Sequence, residues 1–284
     1  MNNYYIFRYL SKSFVFLSVL LLFVFTSACS GEQKNAKNYL NAARQAYERG
    51  DYSIAKNMID SVKIKFPKAF DEISEGHLLL QDIRMAENKR NIVFCDSMLL
   101  AKNDTLQKML RQFTLEKDEK YQETGSYIPK IFPLSQSLSR NALRSGVLET
   151  GQLYLESVLA GQNIKHRQIK VSLPDGSFAE TLSVTSDGLN YRFETLAGSY
   201  EIVRYSGKDE NGLAKFIYTF RNSPLTVQFI GSRNVAIRLS DKEKDAISQS
   251  YELSVLLTDI ARLKFEKEKS EVLIRYLEKK KEQL

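Results

Sequence analysis

The chain has no tryptophan, two cysteines, two histidines and five prolines among 284 residues. Each shortage excludes something. Two cysteines, Cys29 and Cys95, cannot build a disulfide framework, and no Cys-x-x-Cys pair is present for zinc or redox work. His77 and His166 stand alone, with no His-Glu-x-x-His spacing, so a metal centre has no local signature. The chain also lacks a Gly-x-x-x-x-Gly-Lys phosphate loop, a dinucleotide fingerprint and a Gly-x-Ser-x-Gly nucleophile turn. Without tryptophan, the side chain that most often stacks on sugars is missing. These absences lead to the expectation that the protein is not an enzyme and carries no cofactor or metal.

What is present begins with an address. Arg8 and Lys12 precede an almost wholly apolar run from Phe14 to Phe25, and no acidic residue occurs before Cys29. A membrane-spanning helix needs about twenty apolar residues, and this run is nearer the ~7–15 of a secretory signal peptide. Thr26-Ser27-Ala28 are small enough for a signal peptidase. Thr-Ser-Ala-Cys resembles the lipobox of bacterial lipoproteins, with Thr26 where leucine is usual. The resemblance implies cleavage before Cys29, a diacylglycerol on its thiol and an acyl chain on its new amine. Ser30 after the cysteine, rather than aspartate, points by the same resemblance to the outer membrane. The single acid in Ser30–Lys34 favours its periplasmic face over the cell surface.

The net charge of +7 falls to about +5 once Arg8 and Lys12 leave with the signal. Charges of both signs alternate along stretches such as Glu266-Lys267-Glu268-Lys269, which solvate a helix and form no phosphate-binding stripe. Export also argues against nucleic acid as a partner. Cys95, among Ile92, Val93, Phe94 and Met98, reads as a buried thiol.

The periodicity divides the chain into a signal peptide over 1–28, a lipidated tether over 29–35, a helical region over 36–123, a connector over 124–144, an antiparallel β-domain over 145–239 and a long helix over 240–284. The helical region opens with two short helices joined at Gly50-Asp51-Tyr52. It continues as one long helix from Ala69 to about Tyr121. Ala43, Ala46, Gly50, Asp51, Tyr52, Ala55 and Pro67 fall at the small, turn, aromatic and closing positions of a tetratricopeptide repeat, which the hairpin resembles. Only one such repeat is visible, and one repeat cannot bury its own apolar face.

Within 145–239, short alternating segments are separated by Pro174-Asp175-Gly176, Asp187-Gly188, Ala197-Gly198, Asn211-Gly212 and Ser223-Pro224. Lys215 to Phe220 reads as one of these strands. Ser240-Asp241-Lys242-Glu243 is a capping box opening the last helix. There Leu253, Leu256, Ile260, Leu263, Ile274 and Leu277 form a heptad seam, broken by Lys267 and Ser270. The expected class is α+β: an N-terminal helical hairpin and long helix, an antiparallel β-sandwich or partly open barrel, and a C-terminal helix pairing back antiparallel as a coiled-coil-like stalk. In that picture the β-domain lies at the far end and the hairpin near the lipid.

Candidate site residues are few. Glu180, Asp187, Glu194 and Glu201 lie among the strands, where carboxylates are ordinarily solvated. His166, between Lys165 and Arg167, reads as a surface residue. Tyr154, Tyr191, Tyr200, Tyr205 and Tyr218 read chiefly as strand packing. Tyr191 and Tyr205 are the positions that a sugar-binding head would use. Past residue 29 the chain is similar to a family of functionally uncharacterised lipoproteins of Gram-negative cell envelopes. The similarity lies in Phe66-Pro67-Lys68-Ala69-Phe70, Leu115-Glu116-Lys117-Asp118, Glu149-Thr150-Gly151-Gln152-Leu153-Tyr154-Leu155 and Tyr251-Glu252-Leu253-Ser254. It implies a membrane-anchored envelope protein and brings no catalytic residue. Outer-membrane-protein assembly lipoproteins share the repeat-like segment but carry several repeats. The expected role is a non-catalytic structural or adaptor module, with the membrane and a protein partner or a second copy as its contacts. The alternative is a glycan- or peptidoglycan-binding lipoprotein that uses the β-domain.

Overall fold

The computed structural model describes residues 32–133, 140–185, 190–195 and 198–283. The chain divides into two compact units. One takes in the described residues up to Phe94 together with those from Lys267 on; the other runs from Cys95 to Glu266. Among the described residues, no helix is long and apolar enough to cross a membrane.

The first unit is helical. Helices α1 (32–48) and α2 (Tyr52–Lys65) form a hairpin that packs on the first part of α3 (Phe70–Leu110). Ala43, Ala46 and Ala55 are fully buried between them, beside Ile59 and Ile83. Side chains this small let helix backbones approach closely, which explains alanine at all three places. Gly50 takes φ +78°, the left-handed conformation that ends a helix at little cost in glycine. Its carbonyl accepts from Arg90 Nη1 at 3.0 Å, so α3 closes the turn. Here α3 and α5 (Asp241–Lys281) run antiparallel. Asn91 Nδ2 donates to Ser270 Oγ at 2.8 Å, and Lys281 pairs with Asp82 at 3.2 Å. Ser270 interrupts the apolar seam because a partner amide waits for it.

Among its described residues the second unit holds ten antiparallel strands in two sheets. They are β1 (Phe113–Glu116), β2 (Ser126–Pro129), β3 (Ala142–Leu148), β4 (Leu153–Ala160), β5 (Gln168–Ser172), β6 (Phe178–Glu180), β7 (Asn190–Thr195), β8 (Gly198–Ser206), β9 (Thr226–Ile230) and β10 (Asn234–Arg238). One sheet has the order β1-β2-β3-β4-β8-β7 and the other β10-β9-β5-β6. Leu155, Leu159, Val203 and Tyr205 of the first sheet share one core with Ile169, Val171, Val227 and Phe229 of the second. This makes a sandwich. Alternation along β8 sends Glu201, Val203 and Tyr205 inward and Ile202 and Arg204 to the opposite face.

Helix α5 enters this unit through the expected box. Glu243 Oε2 accepts the backbone N–H of Ser240 at 2.9 Å, and Ser240 Oγ accepts that of Glu243 at 3.4 Å. Glu243 Oε1 also accepts from Leu143 N at 3.1 Å, which ties the cap to β3. Further along, Leu253 and Leu257 pack on Leu106, Met109 and Phe113, and Lys102 pairs with Asp259 at 2.8 Å. The long helices are therefore antiparallel in this unit as well.

Three expectations about elements are corrected. The long helix ends at Leu110, and β1 and β2 occupy 113–129, partly within what reads as a connector. Phe113 and Ile128 are buried there, giving those short strands an anchor that helical spacing conceals. The segment read as a strand from Lys215 to Phe220 is helix α4 (Leu213–Thr219). Leu213, Ala214 and Ile217 are its buried residues, a helical spacing. Glu210 receives the N–H groups of Gly212 and Ala214, capping it from two residues before the left-handed Gly212.

Candidate functional site

Two features of the β-unit concentrate chemistry. The first is buried. Ser157 points inward from β4, Glu201 points inward from β8, and the segment between β4 and β5 delivers His166. His166 Nε2 lies 2.7 Å from Ser157 Oγ, and His166 Nδ1 lies 2.6 Å from Glu201 Oε2. A carboxylate only accepts, so Nδ1 carries hydrogen and donates to Glu201. The same carboxylate accepts the backbone N–H groups of Lys165 at 2.6 Å and His166 at 3.0 Å. Burial alone would raise its pKa. The ring N–H of His166 and the two backbone donors outweigh that effect and hold the carboxyl below its ordinary 4.5. Tyr205 OH stands 3.5 Å from Ser157 Oγ, and burial pushes that phenol well above its usual range.

Hydroxyl, imidazole and carboxylate thus stand in the order of a hydrolase relay. A working relay also needs room for an acyl group beside the hydroxyl and donors for its oxyanion. All three residues are at most 1 % exposed, and Phe229 sits edge-on to the imidazole. In this arrangement the Ser157 hydroxyl offers no face to a substrate. What the network does is hold chain to chain. Glu201 fastens the 165–166 backbone to β8, and Gly231 lets that segment pass closely. A Cβ there would stand 2.3 Å from the Ile164 carbonyl oxygen.

The second feature is open. Strand β7 is the edge of its sheet, paired with β8 so that Tyr191 faces Ile202 and Phe193 faces Tyr200. Tyr191 is 55 % and Phe193 41 % exposed, and the rings of Phe193 and Tyr200 stack at 5.2 Å. These aromatics share one face of the hairpin. A cavity of about 280 Å³ adjoins it, lined by Asn163, Arg192, Phe193, Glu194, Ser199, Tyr200 and Glu201. Arg192 Nη2 donates to the carbonyl of His166 at 3.3 Å, so the buried network also positions one wall of the cavity. Aromatic planes beside amide, hydroxyl, guanidinium and carboxylate groups suit a polyhydroxylated ligand.

The expected site residues are distributed unevenly over these features. Tyr191 is exposed on the hairpin. Tyr205 is not: it is 0 % exposed in the sandwich core, so its expected exposure is corrected, the cause being its phase with Val203 on the inner face of β8. Tyr154 is buried, Tyr200 is half-buried and Tyr218 packs on Tyr251 at 5.0 Å. His166 and Glu201, read as surface groups, are buried together, whereas Glu194 is exposed and Glu180 half-buried. His77 is exposed, and Cys95 is a buried thiol. Cys29 and Asp187 lie outside the described residues. Among the described residues, no three of His, Cys, Asp and Glu gather closely enough for a metal ion.

Ser157, Asn163, Arg192 and Phe193 are absent from any reading of the sequence. One local signal for His166 exists: Ile164 and His166, two residues apart, are buried while the charged Lys165 and Arg167 beside them are exposed. The segment is not extended strand, since Lys165 takes the left-handed φ of +53°. No family model, no curated protein and no solved structure matches this chain.

Proposed function

We propose that the protein is a membrane-anchored lipoprotein of the cell envelope, acylated on Cys29, and that it works as a non-catalytic adaptor through protein contacts on its helices. The outer membrane, on its periplasmic face, is the proposed location. The observation that carries the adaptor role is in the helical unit. Ser270 and Leu277 bury one side of α5, and Val272 and Tyr276, one turn apart, are exposed on the other. A helix with its seam already filled gains nothing within the chain from a second apolar side. Such a side suits a partner helix or a second copy.

The test is the double substitution Val272→Asp with Tyr276→Asp in the full-length protein, followed by cross-linking in intact envelopes. Both side chains are exposed, so stability is expected to stay within about 1 kcal/mol. The cross-linked partner band is expected to disappear. An unchanged band would dismiss this surface.

The β7–β8 hairpin favours a second reading, a glycan- or peptidoglycan-binding head. Three aromatic residues on an exposed strand face beside a polar cavity support it. Tyr191→Ala combined with Phe193→Ala is expected to weaken binding of soluble peptidoglycan fragments by about tenfold or more, at unchanged thermal stability. If the wild-type protein shows no such binding by calorimetry, the hairpin has another role.

A further inference from the structure

At one end of the helical unit three segments meet. Ala36 from the start of α1, Val62 from the end of α2 and Ala69 from just before α3 are buried together, with Tyr39, Phe66 and Ile73 packed against them. The turn joining α2 to α3 therefore lies beside the beginning of α1. This turn is not an ordinary solvated tip. Ile64 is 77 % exposed and Phe70 74 %, on either side of Pro67. Lys63, Lys65 and Lys68 are exposed around them, and Lys34 adds another exposed cation from α1. Lys65 Nζ donates to Tyr39 OH at 2.8 Å, which holds its charge at this end. Glu32, Asp60, Asp71 and Glu72 are the acids nearest to them in the chain; with Lys37 of α1, five lysines stand against these four, so cations keep a small excess.

Two large apolar side chains set among lysines match an anionic lipid interface: the apolar groups pass below the headgroups and the ammonium groups stay at the phosphates. Chain length says which surface is within reach. Glu32, the first residue of α1, follows Cys29 by three residues, and extended chain spans at most ~3.6 Å per residue, so α1 begins within ~11 Å of that cysteine. We propose that the α2–α3 turn is a second membrane contact, with Ile64 and Phe70 entering the interface of an anionic bilayer and Lys63, Lys65 and Lys68 meeting its headgroup phosphates. This rests on the reading of Cys29 as the acylated residue. Acyl chains alone tether; a second contact fixes how the helical unit stands on the membrane.

The experiment uses the full-length protein, purified from envelopes and reconstituted in vesicles of phosphatidylethanolamine and phosphatidylglycerol. An environment-sensitive dye is placed at Phe70→Cys or, as a control at the other end of α2, at Ser53→Cys; both positions are exposed. The intact mass of each preparation reports acylation. With acylated protein, dye at 70 is expected to shift to the blue and to be quenched by brominated lipid at least about twofold more than dye at 53. Acylated protein with equal quenching at both positions would overturn the second contact and leave the anchor standing. Protein without acyl chains would overturn both.

Discussion

Replacing Glu201 with alanine is expected to cost about 3–5 kcal/mol, because it leaves buried donors without their acceptor. Three N–H groups converge on this one carboxylate: the His166 ring and the backbones of Lys165 and His166. The two His166 donors have no water at hand, since His166 is fully buried. Urea unfolding at pH 7, read by the shift in midpoint at unchanged slope, measures the loss. Glu201→Gln retains an oxygen and the shape, and is expected to lose less. The pH dependence identifies the cause. Because the folded carboxyl lies below its ordinary 4.5, the ionised network adds stability above that pH. That contribution falls away as pH drops through the lower, folded-state value. The gap between wild type and Glu201→Gln should therefore be full at neutral pH and shrink on the acid side of 4.5. A loss below about 1 kcal/mol for the alanine variant would mean that water or neighbouring chain replaces the carboxylate readily.

The same residue shows what a single sequence conceals. Helices α1, α2 and α5 announce themselves, since their signals are local: alanines at close-packing positions, a glycine at a left-handed turn, a serine three residues before a glutamate, leucines at heptad spacing. The antiparallel pairing of α3 with α5 also follows from local pattern, because neither apolar stripe can stay exposed. Inter-strand chemistry is different. Ser157 meets His166 and Glu201 only because β4 pairs with β8 in a register that sets Ser157 opposite Val203. Sequence separation carries no trace of that register. Tyr205 fails for a related reason. Whether a tyrosine faces core or solvent depends on strand phase, and Glu-Ile-Val-Arg-Tyr places an acid on the inner face, where polarity alone would put it outside. The misread α4 shows the limit of propensity: Phe216, Ile217, Tyr218 and Thr219 all favour strands, but the cap at Glu210 and the burial of Leu213 and Ile217 override them.

On the proposed acylation and cleavage at Cys29, exchanging residues 1–29 for an ordinary cleavable export signal is expected to move the protein from the detergent phase to the aqueous phase, changing its partition by about a hundredfold or more. The exchange is cleaner than Cys29→Ala, which would also block cleavage and leave the apolar run from Phe14 to Phe25 attached. Each buried methylene adds about 0.8 kcal/mol to membrane affinity, so removing two or three acyl chains outweighs anything the folded surface supplies. The α2–α3 turn sets the form of the remainder. Lysines contribute only while headgroup charge is unscreened, about 1 kcal/mol each near an anionic surface, with a reach of about 10 Å at 0.1 M salt. Residual binding by the exchanged protein should therefore be weak, require anionic lipid and vanish in high salt, while the acylated protein ignores salt. Phase partition and vesicle flotation across a salt series read both quantities. Equal partition of the two forms would remove Cys29 as the anchor, and salt-independent residual binding would point to apolar insertion without the lysines.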